Sequence, residues 1–212
     1  MDRTEATARL SQLIGADLRQ MADYYGITVW KQEKINKGWA GHVIERCLGL
    51  PLNSSRAPNF GSWELKLISL KRTSGGNLKV KETMAITMID PVEVMAKEFE
   101  ESHLYNKLRK ALIVARVFES CLEDHSIIHS VSDFDLDKHE VFELVKDDYN
   151  IVRQTLITSG FEALTGRMGK LVQPRTKGQG HGTTSRAFYA RTHFVAHIIG
   201  LETHPLLNDP SI

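Results

Sequence analysis

Apolar positions along the chain change period several times, and each period predicts an element. Leu10, Leu13, Ile14, Leu18 and Met21 recur at helical spacing, which predicts an amphipathic helix over residues 3–25. The same period returns over residues 37–48, where Trp39, Val43, Ile44 and Cys47 share one side and Gly49 supplies a stop. Residues 52–61, with Asn53-Ser54-Ser55, Pro58-Asn59 and Gly61, read as a loop. Beyond it the period drops to two. Residues 63–70 and 80–89 read as strands joined by Thr73-Ser74-Gly75-Gly76-Asn77, a hairpin-like pair. Residues 111–118 read as a buried strand and 126–134 as an alternating, more exposed one. A long helix follows over 142–164, then a loop rich in Gly, Lys and Arg over 166–185, then a short strand and closing helix over 186–199. Helices and strands mix without a regular βαβ rhythm, and no repeat or low-complexity linker interrupts them. A single domain of α+β or mixed α/β class is expected.

Composition narrows the class. With 212 residues, 42% hydrophobic and 25% charged, the chain is an ordinary globular sequence and not a disordered one. No apolar run approaches the roughly 20 residues of a membrane helix. Residues 1–10 carry charges and no apolar signal core, and Cys47 and Cys121 are too few for a disulfide framework or a four-cysteine zinc site. A cytoplasmic protein is expected. Net charge is only +1, but the charge is segregated. No acid occurs between Ala163 and Leu201, where Arg167, Lys170, Arg175, Lys177, Arg186 and Arg191 lie. Residues 65–81 are also acid-free and carry Lys66, Lys71, Arg72, Lys79 and Lys81, whereas residues 119–148 are strongly acidic. Such a chain can meet a polyanion with one face and keep another in water.

The chemistry concentrates in Pro58-Asn59-Phe60-Gly61-Ser62-Trp63-Glu64-Leu65-Lys66. On a strand, Glu64 and Lys66 point to the same face. An upstream acid would complete a carboxylate pair that, with the Leu65 carbonyl, could hold a hard divalent cation such as Mg2+ or Mn2+. The logic is that of the PD-(D/E)xK nucleases. Taken alone, Glu-x-Lys on a strand is more often a surface ion pair. The surrounding blocks change that balance. Asn36-Lys37-Gly38-Trp39-Ala40-Gly41, Val43 to Gly49, Ser102 to Leu108, Leu171 to Gly178 and Ser185 to Arg191 follow in order and resemble the MutH family, comprising the strand-nicking endonuclease of mismatch repair and related GATC-cutting type II restriction enzymes.

The resemblance implies a restriction-endonuclease-like core, a central mixed sheet flanked by helices, in one endonuclease domain over 1–212. Within it, 1–35 would be an N-terminal helical part, 36–120 the catalytic core, and 166–200 the DNA-recognition loop and closing helix. It implies catalytic roles for Glu45, Asn59, Glu64, Lys66 and Lys107, with Asn59, Glu64 and the Leu65 carbonyl at the metal. Lys37 would contact DNA backbone, Arg175 would sit in the recognition loop, and Tyr189 would sense the target adenine. Asn59 stands where the family has an Asp, so the site loses one negative charge. A weakened natural nuclease and an Asp→Asn alteration that traps uncut DNA both fit this departure. The expected activity is Mg2+-dependent hydrolysis of double-stranded DNA at a short, GATC-like, methylation-sensitive site. The C-terminal block leans toward a type II restriction enzyme, which would act as a homodimer. The alternatives are a nicking enzyme working with mismatch-repair proteins, and a DNA-binding protein without cleavage.

Other positions carry weaker signals. Lys177, His181 and Arg186 extend the basic loop and would join Arg175 at DNA. Lys71, Lys79 and Lys81 suit phosphates better than bases. His193 and His197, four apart, have zinc-compatible spacing but no evident third ligand.

Overall fold

A computed structural model describes residues 1–49, 62–180 and 183–201. The chain opens with α1 (Arg3–Ser11) and α2 (Leu18–Tyr24), then a small hairpin of β1 (Trp30–Lys31) and β2 (Lys34–Ile35), and α3 (Trp39–Cys47). The single helix expected over 3–25 is therefore two. Gly15 turns at φ +89°, and the Asp17 side chain caps α2 by accepting the Arg19 N–H. The backbone between the helices instead bonds outward, Gly15 N to Ile128 O and Leu18 N to Ser126 O. Tertiary pairing thus breaks a helical period that the sequence carries through. Helix α3 matches its expected span, and Gly49, at φ +74°, follows it.

Four strands form the central mixed sheet: β3 (Glu64–Arg72), β4 (Leu78–Val80), β6 (Lys110–Val117) and β7 (Ile128–Asp135), in the order β4-β3-β6-β7. β3 runs parallel to β6, and the other two pairs are antiparallel. The central β6 is buried on both faces, as its unbroken apolar run requires. Ile68, Leu70, Ala111, Ile113 and Ala115 enter one core, and Leu65, Leu112 and Val114 a second core on the other side with α1, α2 and α3. Fully burying each Leu, Ile or Val contributes roughly 1.5–3 kcal/mol.

Between β3 and β6 come β5 (Met84–Met88), α4 (Pro91–Ala96) and α5 (His103–Leu108). The strand expected over 80–89 is divided. Its start pairs with β3 as the expected hairpin, while β5 joins a second, antiparallel sheet of order β5-β9-β8. The long helix is α6 (Phe142–Ser159), stopped by Gly160 at φ +80°, before the residue 164 expected. The stretch expected as a loop over 166–185 is mostly strand: β8 (Val172–Gly180) and β9 (Thr183–Ala190) pair from Val172↔Ala190 to Gly180↔Thr183. Its glycines, Pro174 and charges mask an alternation that cross-strand pairing enforces. Helix α7 (Thr192–Ile198) closes the described fold. None of the helices among the described residues is long and apolar enough to cross a membrane.

The acidic stretch 119–148 is not all solvated surface. Glu123 is 3% exposed and receives Arg116 Nη1 and Nη2 at 2.5 and 2.8 Å, with the guanidinium over the Trp39 ring.

Candidate active site

Glu64 opens β3 and is buried at 2% exposure. Alternation along β3 puts Lys66 on the same face, and its Nζ lies 2.9 Å from Glu64 Oε1. From the other side comes Lys107, whose Nζ stands 3.0 Å from Glu64 Oε2. Lys107 sits in the last turn of α5, and the start of that helix is firmly anchored. Ser102, fully buried, accepts the Tyr105 N–H and donates its own hydroxyl to Phe99 O, and the His103 N–H donates to Glu93 Oε1. Tyr105 packs edge-on against Phe99 and donates its hydroxyl to Asp137, so it supports the helix from its flank and not the ammonium directly.

Glu45 approaches from α3 on the other side of the sheet. Burial raises its pKa above the ordinary carboxylate value; His42 pulls it down, and the negative charge of Glu64 adds to the rise. The structure therefore brings Glu45, Glu64, Lys66 and Lys107 together. Asn59, and with it the third expected metal position, lies outside the described residues, as does His181. Among the described residues no group of three or more His, Cys, Asp or Glu could hold a metal ion. Glu64 and Glu45 are oxygen donors of the kind a hard divalent cation takes, and both Glu64 oxygens are engaged by the Lys66 and Lys107 ammonium groups. Leu65 lies between the two functional positions of β3, paired with Leu112.

A second group forms on the β8–β9 sheet. Gln173↔Tyr189 and Arg175↔Ala187 register puts Arg175 and Tyr189 on one face, with the guanidinium 5.7 Å from the Tyr189 ring centre. Thr83 completes it: Arg175 Nη1 donates to its Oγ1 at 2.8 Å. Thr83 carries no signal in the sequence that would single it out. Lys177 is exposed, and its carbonyl accepts the Ser185 hydroxyl.

Two expected DNA contacts fall elsewhere. Arg186 points to the opposite face of β9, where its side chain is 12% exposed, donates to Leu164 O at 2.5 Å and lies over the Phe161 ring. Lys37, just before α3, is exposed and lines a cavity with Ser69, Lys81 and Arg116. Ser69 is five strand positions from Glu64, about 17 Å along β3. His193 and His197 do not converge on a metal: His193 Nε2 lies 3.1 Å from Lys170 O, and His197 faces His139 and Glu140.

Comparison with known proteins points to one family. The model of the DNA mismatch repair enzyme MutH matches residues 48–151, a span holding Glu64, Lys66 and Lys107. The DNA mismatch repair protein MutH of Vibrio vulnificus is 26% identical over 221 residues, covering 97% of this chain and 96% of that protein. That of Vibrio campbellii is 25% identical over 92% of both chains, and that of a Shewanella species 25% identical over 92% of this chain and 93% of its own. With a matching family model across the central sheet and relatives of 25–26% identity aligned along nearly the whole of both chains, this chain is similar to the MutH family.

Proposed function

We propose that this chain is a Mg2+-dependent DNA endonuclease that nicks one strand at a short, GATC-like, methylation-sensitive site, as a mismatch-repair enzyme. The observation that carries the catalytic reading is the convergence of Lys66 and Lys107 on the buried Glu64, with Glu45 alongside. Such a cluster is expensive to bury and is more than a DNA-binding protein needs. The relatives, all named as mismatch repair proteins, favour nicking over the restriction reading, which would require two copies to cut both strands.

A cation held by Glu64 and Glu45 would offset charge on the scissile phosphate and acidify a water. Lys66 would then orient the attacking water, and Lys107, held by Glu64 Oε2, would meet the phosphate oxygens. Attack on phosphorus breaks the bond to the 3′ oxygen and leaves a 5′-phosphate. Arg175, steadied by Thr83 and Tyr189, suits bidentate reading of a guanine.

The test is Mg2+-dependent cleavage of unmethylated plasmid by the chain as written and by Asn59→Asp, side by side. Nicked circles from either form support the proposal, and cleavage only by the Asp form locates the defect at the missing charge. Discrete linear fragments favour the restriction reading. Specific duplex binding without cleavage by either form overturns the catalytic assignment in favour of a DNA-binding protein.

A further inference from the structure

The acid-free stretch between Ala163 and Leu201 holds more basic side chains than the Arg175–Tyr189 face uses. Arg167, Lys170, Arg191 and His193 line a cavity of about 500 Å³ with Ile151, Gly166 and Gly169, and among the described residues no carboxylate belongs to that lining. The adjoining groove, which shares Ile151 and Lys170, holds Asp147 and Asp148 of α6. Asp148 is already committed. At 1% exposure, its carboxylate accepts the backbone N–H of Lys170, Leu171 and Val172 at 2.6, 2.7 and 2.7 Å.

The segment 166–170 is fixed from two sides. Asp148 takes the N–H groups just described. Arg191 serves the carbonyls, donating Nε to Gly169 O at 3.0 Å and Nη2 to Gly166 O and Met168 O at 3.0 and 3.1 Å. The hydrogen bonds of Arg191 thus all go to neutral carbonyl oxygens and fix its orientation, while its charge also acts on the neighbouring Asp148 carboxylate. Gly169 turns at φ +74°, where a Cβ would stand 1.9 Å from Val172 O. A segment bound this way sets the backbone from which Arg167 and Lys170 project into the cavity.

This cavity adjoins the face assigned to base reading. A Cβ built on Gly166 would stand 3.6 Å from Gln173 Oε1 and 3.7 Å from Arg175 Cγ. We propose that the cavity is a phosphate-binding subsite, gripping a backbone phosphate of the strand that Arg175 reads. The proposal rests on the DNA reading above and adds to it a contact that positions the duplex without specifying sequence.

The experiment is duplex binding by the full chain across a salt series, for the wild type and the Arg167→Gln/Lys170→Gln double variant, on a GATC-containing and a scrambled duplex. The expected result is an equal loss of affinity on both duplexes and a salt slope shallower by about 1–2, since each phosphate contact contributes about 0.9. The charge-keeping Arg167→Lys/Lys170→Arg variant should retain the wild-type slope. An unchanged slope in the Gln variant, with the wild type still binding, overturns the subsite and leaves the DNA reading standing. A loss confined to the GATC duplex also overturns it, because that behaviour belongs to base reading. Wild-type protein that binds no duplex in a salt-dependent way overturns both. Inorganic phosphate is the control for the source. If it raises the melting temperature of the wild type alone while the DNA slopes stay equal, the cavity serves free phosphate and the DNA assignment fails.

Discussion

Lys107 Nζ lies 3.0 Å from Glu64 Oε2, although the two residues are 43 positions apart and stand on a helix and a strand. Both are buried, at 7% and 2% exposure, and Lys66 shares the same carboxylate. This sharing makes the two sides of the pair unequal. Glu64→Gln removes the charge that two ammonium groups hold in common, and removing one partner of a buried ion pair costs roughly 3–5 kcal/mol. Lys107→Met leaves Glu64 with Lys66 and takes a desolvated charge out of the interior, so its cost should be smaller, about 1–2 kcal/mol. Urea unfolding of the two variants measures the difference. Equal losses would mean that Lys66 does not share in the pairing.

The legible part of this site was the part encoded by local spacing. Glu64 and Lys66 fall on one face because a strand alternates, and the apolar run of β6 declares a buried neighbour. Lys107 has no such local mark. Its approach depends on how α5 docks against the sheet, so only the family resemblance pointed to it. The β8–β9 hairpin is obscured for the opposite reason: Pro174 and Gly180 are loop residues by local preference, and pairing with Phe188 and Thr183 overrides them, while Gly178 keeps its turn conformation inside an irregularity of the ladder. Glu123 and Asp148 looked like members of a solvated acidic run. Each is buried by one specific partner set, the Arg116 guanidinium for the first and three backbone N–H groups for the second. Charge counting along a sequence cannot reveal such pairings.

The joint between α1 and α2 should be pH-sensitive. His125 Nδ1 lies 2.8 Å from Asp17 Oδ2, and this hydrogen bond raises the His125 pKa above its ordinary 6.5. Burial pushes Asp17 upward, but the bonds from His125 and from the backbone of Ser126 and Arg19 hold it below 3.8. The histidine's contribution is therefore whole below 6.5 and is lost as pH rises through its raised value. The aspartate's is whole above 3.8 and is lost as pH falls through its lowered one. Melting temperatures of wild type and His125→Gln should differ most between pH 3.8 and 6.5 and converge as pH rises through the raised His125 value. A gap that persists unchanged above that value would show that the pair does not titrate as described.

Gly169 and Gly178 offer a matched comparison, since both have positive φ, +74° and +57°. At Gly178 a Cβ meets nothing within 4 Å. Gly178→Ala should cost only the left-handed penalty, about 1–2 kcal/mol. At Gly169 the Cβ meets the Val172 carbonyl oxygen and lies 3.0 Å from Asp148 Cγ. Gly169→Ala adds backbone displacement to the same penalty, for a total of roughly 2–5 kcal/mol. Chemical denaturation of the two variants should rank them in that order.

Arg186 separates fold from recognition. Its guanidinium bonds Leu164 O and covers the Phe161 ring, tying the segment after α6 to β9. Arg186→Met keeps much of the packing and leaves that carbonyl without its donor, a loss of about 1–3 kcal/mol in stability. The salt slope of duplex binding should stay at the wild-type value. A slope shallower by one phosphate contact would return Arg186 to the DNA-binding set.

Thr83 tests whether base reading depends on a residue that need not touch DNA. Its Oγ1 accepts Arg175 Nη1 at 2.8 Å, and the Tyr189 ring lies on the same face of the sheet. A long guanidinium side chain aimed by two neighbours loses less rotamer freedom on meeting a base than one that is unsupported. Arg175→Ala should relax discrimination between GATC and scrambled duplexes by about 1–3 kcal/mol, the worth of a bidentate contact. Thr83→Val keeps the shape and removes the acceptor, so it should relax the same ratio by about 1 kcal/mol, near fivefold. In the Arg175→Ala background Thr83→Val should have no further effect, because nothing remains for it to aim. If Thr83→Val instead lowers binding to both duplexes equally, and does so with Arg175 already gone, the threonine contacts the backbone directly and does not steer the arginine.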